Sequence, residues 1–203
     1  MGVSRCGGRG PVGRWACPVA VGVALCAAWR AAMAAAPRWR ERLFALYFLS
    51  HIPITLLIDL QPLLPAGLHP PALRDLLQWY AASFRDPMML QPPEWFKAFI
   101  YCEAFLQMPF FPIAVYAFFK GGCKWIRTPA IIYSTHVATT LFAILAHILF
   151  HDFSESQHLG PQTQRERLVL LSIYAPYLLI PLLLLFTMLF HPHYNQAEKR
   201  KRK

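Results

Sequence analysis

Along most of this chain the apolar residues are bunched into long runs and do not recur at the spacing of a half-buried helix. Leu43 to Leu60, Trp95 to Phe119, Ala130 to Phe150 and Leu168 to Phe190 form four such runs. Each approaches or exceeds the ~20 apolar residues a helix needs to cross the hydrocarbon core of a bilayer. The pattern predicts an all-α polytopic membrane protein, a bundle of four transmembrane helices. Prolines punctuate it: Pro53 in the first run, Pro109 and Pro112 in the second, Pro176 and Pro181 in the fourth. Each removes a backbone hydrogen bond and favours a kink, and kinked neighbours leave room for a ligand cavity edged by freed carbonyls. Between the first two runs, PPALRDLLQWYAASFRDP keeps helical spacing between prolines, which predicts a short helix lying on or capping the bundle.

Composition agrees with a membrane protein, since 56% of the 203 residues are hydrophobic. The net charge of +10 changes the picture only through its placement. Arg38, Arg40 and Arg42 precede the first run, Lys120, Lys124 and Arg127 separate the second from the third, and the chain ends in KRKRK. By the positive-inside rule these regions face the cytosol, and the mixed-charge loops 61–94 and 151–167 face the lumen. Both termini are then cytosolic. Basic ends on an oily chain read as membrane-surface and sorting signals. No nucleic-acid-binding motif accompanies them, so nucleic acid is excluded as a partner. Lys199 and Lys201 complete the K-x-K-x-x form of a signal that returns membrane proteins to the endoplasmic reticulum; a plain basic tail near anionic lipid is the alternative.

Residues 1–40 are read as an N-terminal extension, 41–191 as the membrane domain and 192–203 as a basic cytosolic tail. WACPVAVGVALCAAW has the look of a signal-peptide core but is too short to span comfortably, and Met33 offers a plausible natural start. Five cysteines form no C-x-x-C pair and are expected as free thiols, and Asn195 is not in a glycosylation sequence.

Candidate chemistry lies inside the spans. His51 and Asp59 are eight residues apart, so their directions on an α-helix differ by only ~80°. Glu103 and Gln107 are at i, i+4 on one face. Carboxylates at membrane depth cost several kcal/mol and normally face a bundle interior, a partner or a water-filled cavity. Lys97 stands at the entrance of its span, where it snorkels to the interface and leaves the acids without a cation. Two close carboxylates without a counter-ion share a proton, and an incoming ammonium or a developing carbocation supplies the missing charge. The expectation is a cation-accepting pocket. Asp59 also fits an interfacial position near its helix end, and His51 also fits a hydrogen-bonded structural role. His136 and His147 lack metal-ligand spacing and no compact imidazole–carboxylate cluster is legible, so no metal is expected. Tyr80, Tyr101, Tyr116, Tyr133, Tyr174 and Tyr177 are candidates for the wall, with interfacial anchoring or packing as their alternative. Asp86, before Pro87, falls near the same end as Asp59 and suggests a second acid pair.

The runs LYFLSHIPITL, DLQ, WFK, PFFPIA, CKWIRTPAIIYS and YAPYLLIP resemble the EXPERA family, which includes the emopamil-binding sterol isomerase, and are closest in character to its receptor branch. The resemblance runs from about Leu46 to the tail. It implies a pocket open to lipid that takes sterols and cationic amphiphiles, with Asp59 pairing the ligand amine, Asp86 supporting it and Glu103 as a second acid. His51, Gln107, Tyr80, Thr140, Tyr174 and Tyr177 would line the cavity. It further implies residence in the endoplasmic reticulum membrane, a role in cholesterol homeostasis through the Niemann-Pick C1 cholesterol transporter, homodimerisation, and no cofactor. The isomerase relatives use a His and a Glu about one turn apart on the corresponding helix. Here the acid is Asp and the separation is two turns, so binding without catalysis is expected, with Δ8-Δ7 sterol isomerisation as the alternative. A proton-coupled carrier is a third reading, weakened by the lack of a visible internal repeat.

Overall fold

The computed structural model describes residues 38–65, 67–68, 70–154 and 160–195. Most of the N-terminal extension and the signal residues Lys199 and Lys201 lie outside the described residues. Helix α1 (Trp39–Ile54) runs without a break into a π-helical turn, Thr55–Asp59, and a 3-10 turn, Gln61–Leu63. The predicted capping helix is α2 (Pro71–Phe84). Then come α3 (Glu94–Cys102) with a second π-helical turn, Glu103–Gln107, α4 (Phe110–Lys120), α5 (Arg127–Phe150), α6 (Gln164–Phe190) and the short α7 (Pro192–Asn195). No strand occurs among the described residues.

Trp39–Leu63, Lys124–Phe150 and Gln164–Phe190 are long and apolar enough to cross a membrane, and α3 with α4 meets the same condition as a bent pair, which counted as one span makes four. That bent pair carries the kink expected from the prolines of the second run, turning by 53° at the Met108–Pro109 break. Pro109 has no N–H to continue the ladder, and the bend falls where the π-helical turn ends. Pro176 and Pro181, by contrast, sit inside an α6 that remains one helix. The helix ends follow local chemistry. Thr163 and Glu166 form a reciprocal capping box at the start of α6, and α4 stops at Gly121 and Gly122, whose positive φ values of 72° and 68° suit glycine.

Helix α1 packs along α4, and α5 along α6. The outward faces carry Leu46, Leu56, Phe105, Phe142 and Leu179, all exposed, which is the normal state of a helix facing lipid. Because lipid tails are as apolar as leucine, close packing and dispersion hold such helices together. One half of the bundle supplies that packing. Phe44, Phe48, Phe111 and Phe118 have essentially no exposed surface; Phe48 stacks on Phe118 at 5.9 Å and Phe44 meets Phe118 edge-on at 5.4 Å. In the other half, Leu77, Met88, Phe96, Ile100, Ile144 and Leu170 form a second apolar cluster beneath α2.

Helix α2 is held over that half at both ends. Gln61 Nε2 donates to Leu57 O at 2.6 Å and to Leu73 O at 3.2 Å, joining the end of α1 to α2. Arg85 ends α2 in the left-handed region, φ +54°, and its guanidinium pairs with Glu166 at 3.0 Å. Cys102 and Cys123 are free thiols, as expected.

Candidate functional site

A cavity of about 200 Å³ opens between the two halves of the bundle, walled by α1, α2, α3, α5 and α6. Two polar stripes meet across it. His51, Thr55 and Asp59 stand at i, i+4 and i+8 on one side, Glu103 and Gln107 at i and i+4 on the other. On a regular α-helix each step of four residues drifts by ~40° around the axis. A π-helical turn wraps more residues per turn and so cancels much of that drift. The two π-helical turns, Thr55–Asp59 and Glu103–Gln107, fall on these stripes and keep each aimed at the cavity.

The stripes are joined at Glu103. Thr55, fully buried, donates its hydroxyl to Glu103 Oε1 at 2.6 Å, and His51 Nε2 lies 3.6 Å from the same oxygen. One ligating atom each from His51, Asp59 and Glu103 fall within 4.8 Å of one another. This corrects the expectation that no compact imidazole–carboxylate cluster exists. The sequence hides it because its members come from two helices and because the π-helical turn closes the gap between His51 and Asp59. One nitrogen and two carboxylate oxygens at this spacing could hold a divalent ion. Metal-binding imidazoles, however, usually anchor their second nitrogen, and His51 Nδ1 is buried with no hydrogen-bond partner among the described residues. The ring is instead packed by Tyr47, Phe111 and Tyr177, with centroids 5.1, 5.0 and 5.1 Å away. Its polar engagement runs through Nε2 toward Glu103.

Asp59 lines the cavity, half-buried, and its carboxylate accepts no hydrogen bond among the described residues. Among the described residues no Lys or Arg lines the cavity with it. Asp86 differs. It is fully buried and stands behind the wall, where Oδ2 accepts the hydroxyls of Tyr174 at 2.7 Å and Tyr80 at 3.3 Å and Oδ1 accepts the Met88 N–H at 3.1 Å. The expected hydrogen-bonded pair of Asp59 with Asp86 is therefore replaced by tyrosines that line the cavity and anchor on Asp86 behind it. Burial pushes the Asp86 carboxyl above its ordinary value, and the three hydrogen bonds partly offset this.

Gln107, Tyr177 and Thr140 also line the cavity, although the Thr140 hydroxyl donates to Val137 O at 3.0 Å on its own helix. Three other candidate tyrosines do not. Tyr133 lies in the packed half with its hydroxyl 3.1 Å from that of Tyr47, and Tyr101 and Tyr116 are exposed on the outside of the bent span. Apolar walls come from Ile54, Ile58, Phe96, Phe99 and Ile144. Sequence reasoning passed over Thr55, although its place midway between His51 and Asp59 was the available signal, and over the Arg85–Glu166 tie.

A helical membrane bundle with an acid-bearing, aromatic-walled cavity between its spans is the class that fold and site define. A family model described as EXPERA (EXPanded EBP superfamily) matches residues 72–188, and the chain belongs to that family. It is 63% identical over 171 residues to sigma intracellular receptor 2 of Xenopus tropicalis, covering 84% of this chain and 100% of that protein. Identity to sigma intracellular receptor 2 of Homo sapiens is 59% over 166 residues, 80% of this chain and 94% of that one. More distantly, the efficient mitochondria targeting-associated protein 19 of Saccharomyces cerevisiae is 29% identical over 159 residues, 72% of this chain and 96% of that protein.

Proposed function

We propose that this protein is a receptor for sterols and for cationic amphiphiles, the latter joining a protonated amine to a bulky apolar body, and that it binds them without catalysis. The observation that carries the reading is the Asp59 carboxylate, set in an apolar cavity with Glu103 and the His51 imidazole nearby and, among the described residues, with no hydrogen bond and no Lys or Arg lining the cavity. A carboxylate in that position gains most from a cation brought by the ligand. The aromatic rings of Tyr80, Tyr174 and Tyr177 add faces that attract the same charge. At about 200 Å³ the cavity is below the ~300–1,000 Å³ usual for drug-sized sites. It therefore receives the charged end and the first rings of a ligand whose remainder extends toward lipid.

In this reading the receptor sits in the endoplasmic reticulum membrane with both termini cytosolic, forms homodimers, and acts in cholesterol homeostasis with the Niemann-Pick C1 transporter as partner. The similarity to sigma intracellular receptor 2 supports a receptor role. The test is Asp59→Asn, which keeps the side-chain shape. Affinity for a cationic amphiphile should fall at least tenfold, since a hydrogen bond to a charged group is worth ~1.5–3 kcal/mol. Unchanged affinity in a folded variant would overturn the reading.

One observation favours a second function. His51, Asp59 and Glu103 meet in a single cluster, so the two-turn spacing that argued against proton transfer does not separate the groups in space. A sterol isomerase needs a positioned acid and base flanking a carbocation, and these residues have the right types. Incubation with a Δ8-sterol decides between the two. Δ7 product that disappears in Glu103→Gln means catalysis, and its absence from protein that still binds amines means binding alone.

A further inference from the structure

Ser50, Thr139, Thr140, Ser172 and Thr187 each donate their hydroxyl to a carbonyl three or four residues back on their own helix, the usual way a span satisfies such a group. Thr55 does not. Its hydroxyl crosses to the facing span and reaches Glu103 Oε1 at 2.6 Å. From this exception we infer that Thr55 is a positioning residue of the amine site, whose hydroxyl holds the Glu103 carboxylate beside Asp59 so that an entering cation meets both acids. The role presupposes the receptor reading above and adds one residue to that same site.

Thr55 and Glu103 are the first residues of the two π-helical turns, Thr55–Asp59 and Glu103–Gln107. Their hydrogen bond joins the turns where each begins to widen, and π-helical turns concentrate at functional sites. The donor is rigid. Thr55 has no exposed surface, and its β-branched side chain keeps few rotamers in a helix. Glu103 is long and loses more freedom when it is held. It is held from the α1 side, where Oε1 accepts the Thr55 hydroxyl and faces His51 Nε2 at 3.6 Å. Its Oε2 accepts no hydrogen bond among the described residues, and Glu103 lines the cavity.

One oxygen of Glu103 lies within 4.8 Å of one oxygen of Asp59. When both acids are ionised they repel at that distance, and an untied Glu103 would turn away. The Thr55 hydroxyl opposes that turn and keeps the second charge at the cavity before any ligand arrives, which is the arrangement a cation site gains from. A hydroxyl that only tied the two spans together would change stability and leave ligand choice alone.

Binding of a tertiary-amine amphiphile and of its uncharged carbon isostere is measured on the full chain in mild detergent, together with the melting temperature of each variant. Thr55→Val keeps the shape and removes the donor, so amine affinity should fall about fivefold, within the range one hydrogen bond sets, while isostere affinity stays within about twofold. Thr55→Ala, which lacks the donor without placing a new methyl against Glu103, should do the same. Thr55→Ser restores the donor and should return amine affinity to within about twofold of wild type. In a Glu103→Ala background Thr55→Val should cost no further amine affinity, because the one residue acts through the other. Equal losses for amine and isostere, no rescue by Thr55→Ser, an undiminished loss in the Glu103→Ala background, or a lower melting temperature with amine affinity intact would each overturn the inference. Asp59→Asn, measured alongside, separates it from the receptor reading. Loss of amine affinity in Asp59→Asn with none in Thr55→Val overturns the role of Thr55 and leaves the receptor standing. Loss in neither overturns both, and loss in Thr55→Val alone keeps the role of Thr55 and makes Glu103 the partner of the cation.

Discussion

The two halves of this bundle are built from similar residues and put to opposite uses. Around Phe44, Phe48, Phe111, Phe118 and Tyr133 the aromatic rings interlock until no surface is left. Around Asp59, Tyr80, Glu103, Tyr174 and Tyr177 aromatic rings stand apart and enclose an acid-bearing cavity. The difference lies in what the polar groups do with their hydrogen bonds. In the packed half the Tyr47 and Tyr133 hydroxyls satisfy each other. In the hollow half Tyr80 and Tyr174 turn their hydroxyls outward onto Asp86, which leaves Asp59 without a hydrogen-bond partner among the described residues. Two similar sets of residues thus make a strut and an acid-bearing cavity, and the switch is the buried Asp86 behind the wall.

Substitutions on either side should separate stability from binding. Phe48→Ala, in the packed half, should give the largest loss of stability, about 3 kcal/mol, the low end for a buried Phe because part of the transfer cost vanishes in lipid. Thermal unfolding in detergent measures it, and ligand preference among the surviving folded molecules should not change. Asp59→Asn should do the reverse, costing at least tenfold in amine affinity, ~1.4 kcal/mol or more, with little shift in melting temperature. Tyr174→Phe removes one hydrogen bond from a buried carboxylate and should cost ~1–3 kcal/mol of stability. If Asp86 anchors the wall, that variant should also weaken ligand binding, whereas a purely local hydrogen bond would leave affinity untouched. Arg85→Ala breaks a partly exposed pair with Glu166 and should cost ~0.2–1 kcal/mol. Its effect should be visible mainly as faster hydrogen exchange in Pro71–Phe84.

Four spans could be read from the apolar runs because a bilayer demands length and hydrophobicity of every crossing segment. The stripe residues His51, Asp59, Glu103 and Gln107 were legible because polar side chains are costly there and few. What escaped depends on neighbours. The π-helical turns at Thr55–Asp59 and Glu103–Gln107 leave no trace in residue type, and without them His51 and Asp59 looked too far apart to act together. Thr55 was overlooked because threonine is common in apolar helices, and only the facing Glu103 gives its hydroxyl a task. Pro109 and Pro181 look alike in sequence, yet one breaks a span and the other rides inside a helix, since the outcome depends on what packs against the freed carbonyl. Asp86 was placed near the end of the bundle where Asp59 lies, but its hydrogen-bond partners were not legible, because the tyrosines that turn toward it come from α2 and α6.

The central claim is that Asp59 pairs with the positive charge of a ligand. The most direct measurement compares two ligands of the same shape, one a tertiary amine and one its uncharged carbon isostere, on wild type and on Asp59→Asn. The account predicts that the wild type prefers the amine by at least tenfold, a margin of ~1.4 kcal/mol, and that this preference disappears in the variant while affinity for the isostere stays the same. A preference that survives in Asp59→Asn would contradict it and move the cation's partner elsewhere in the cavity.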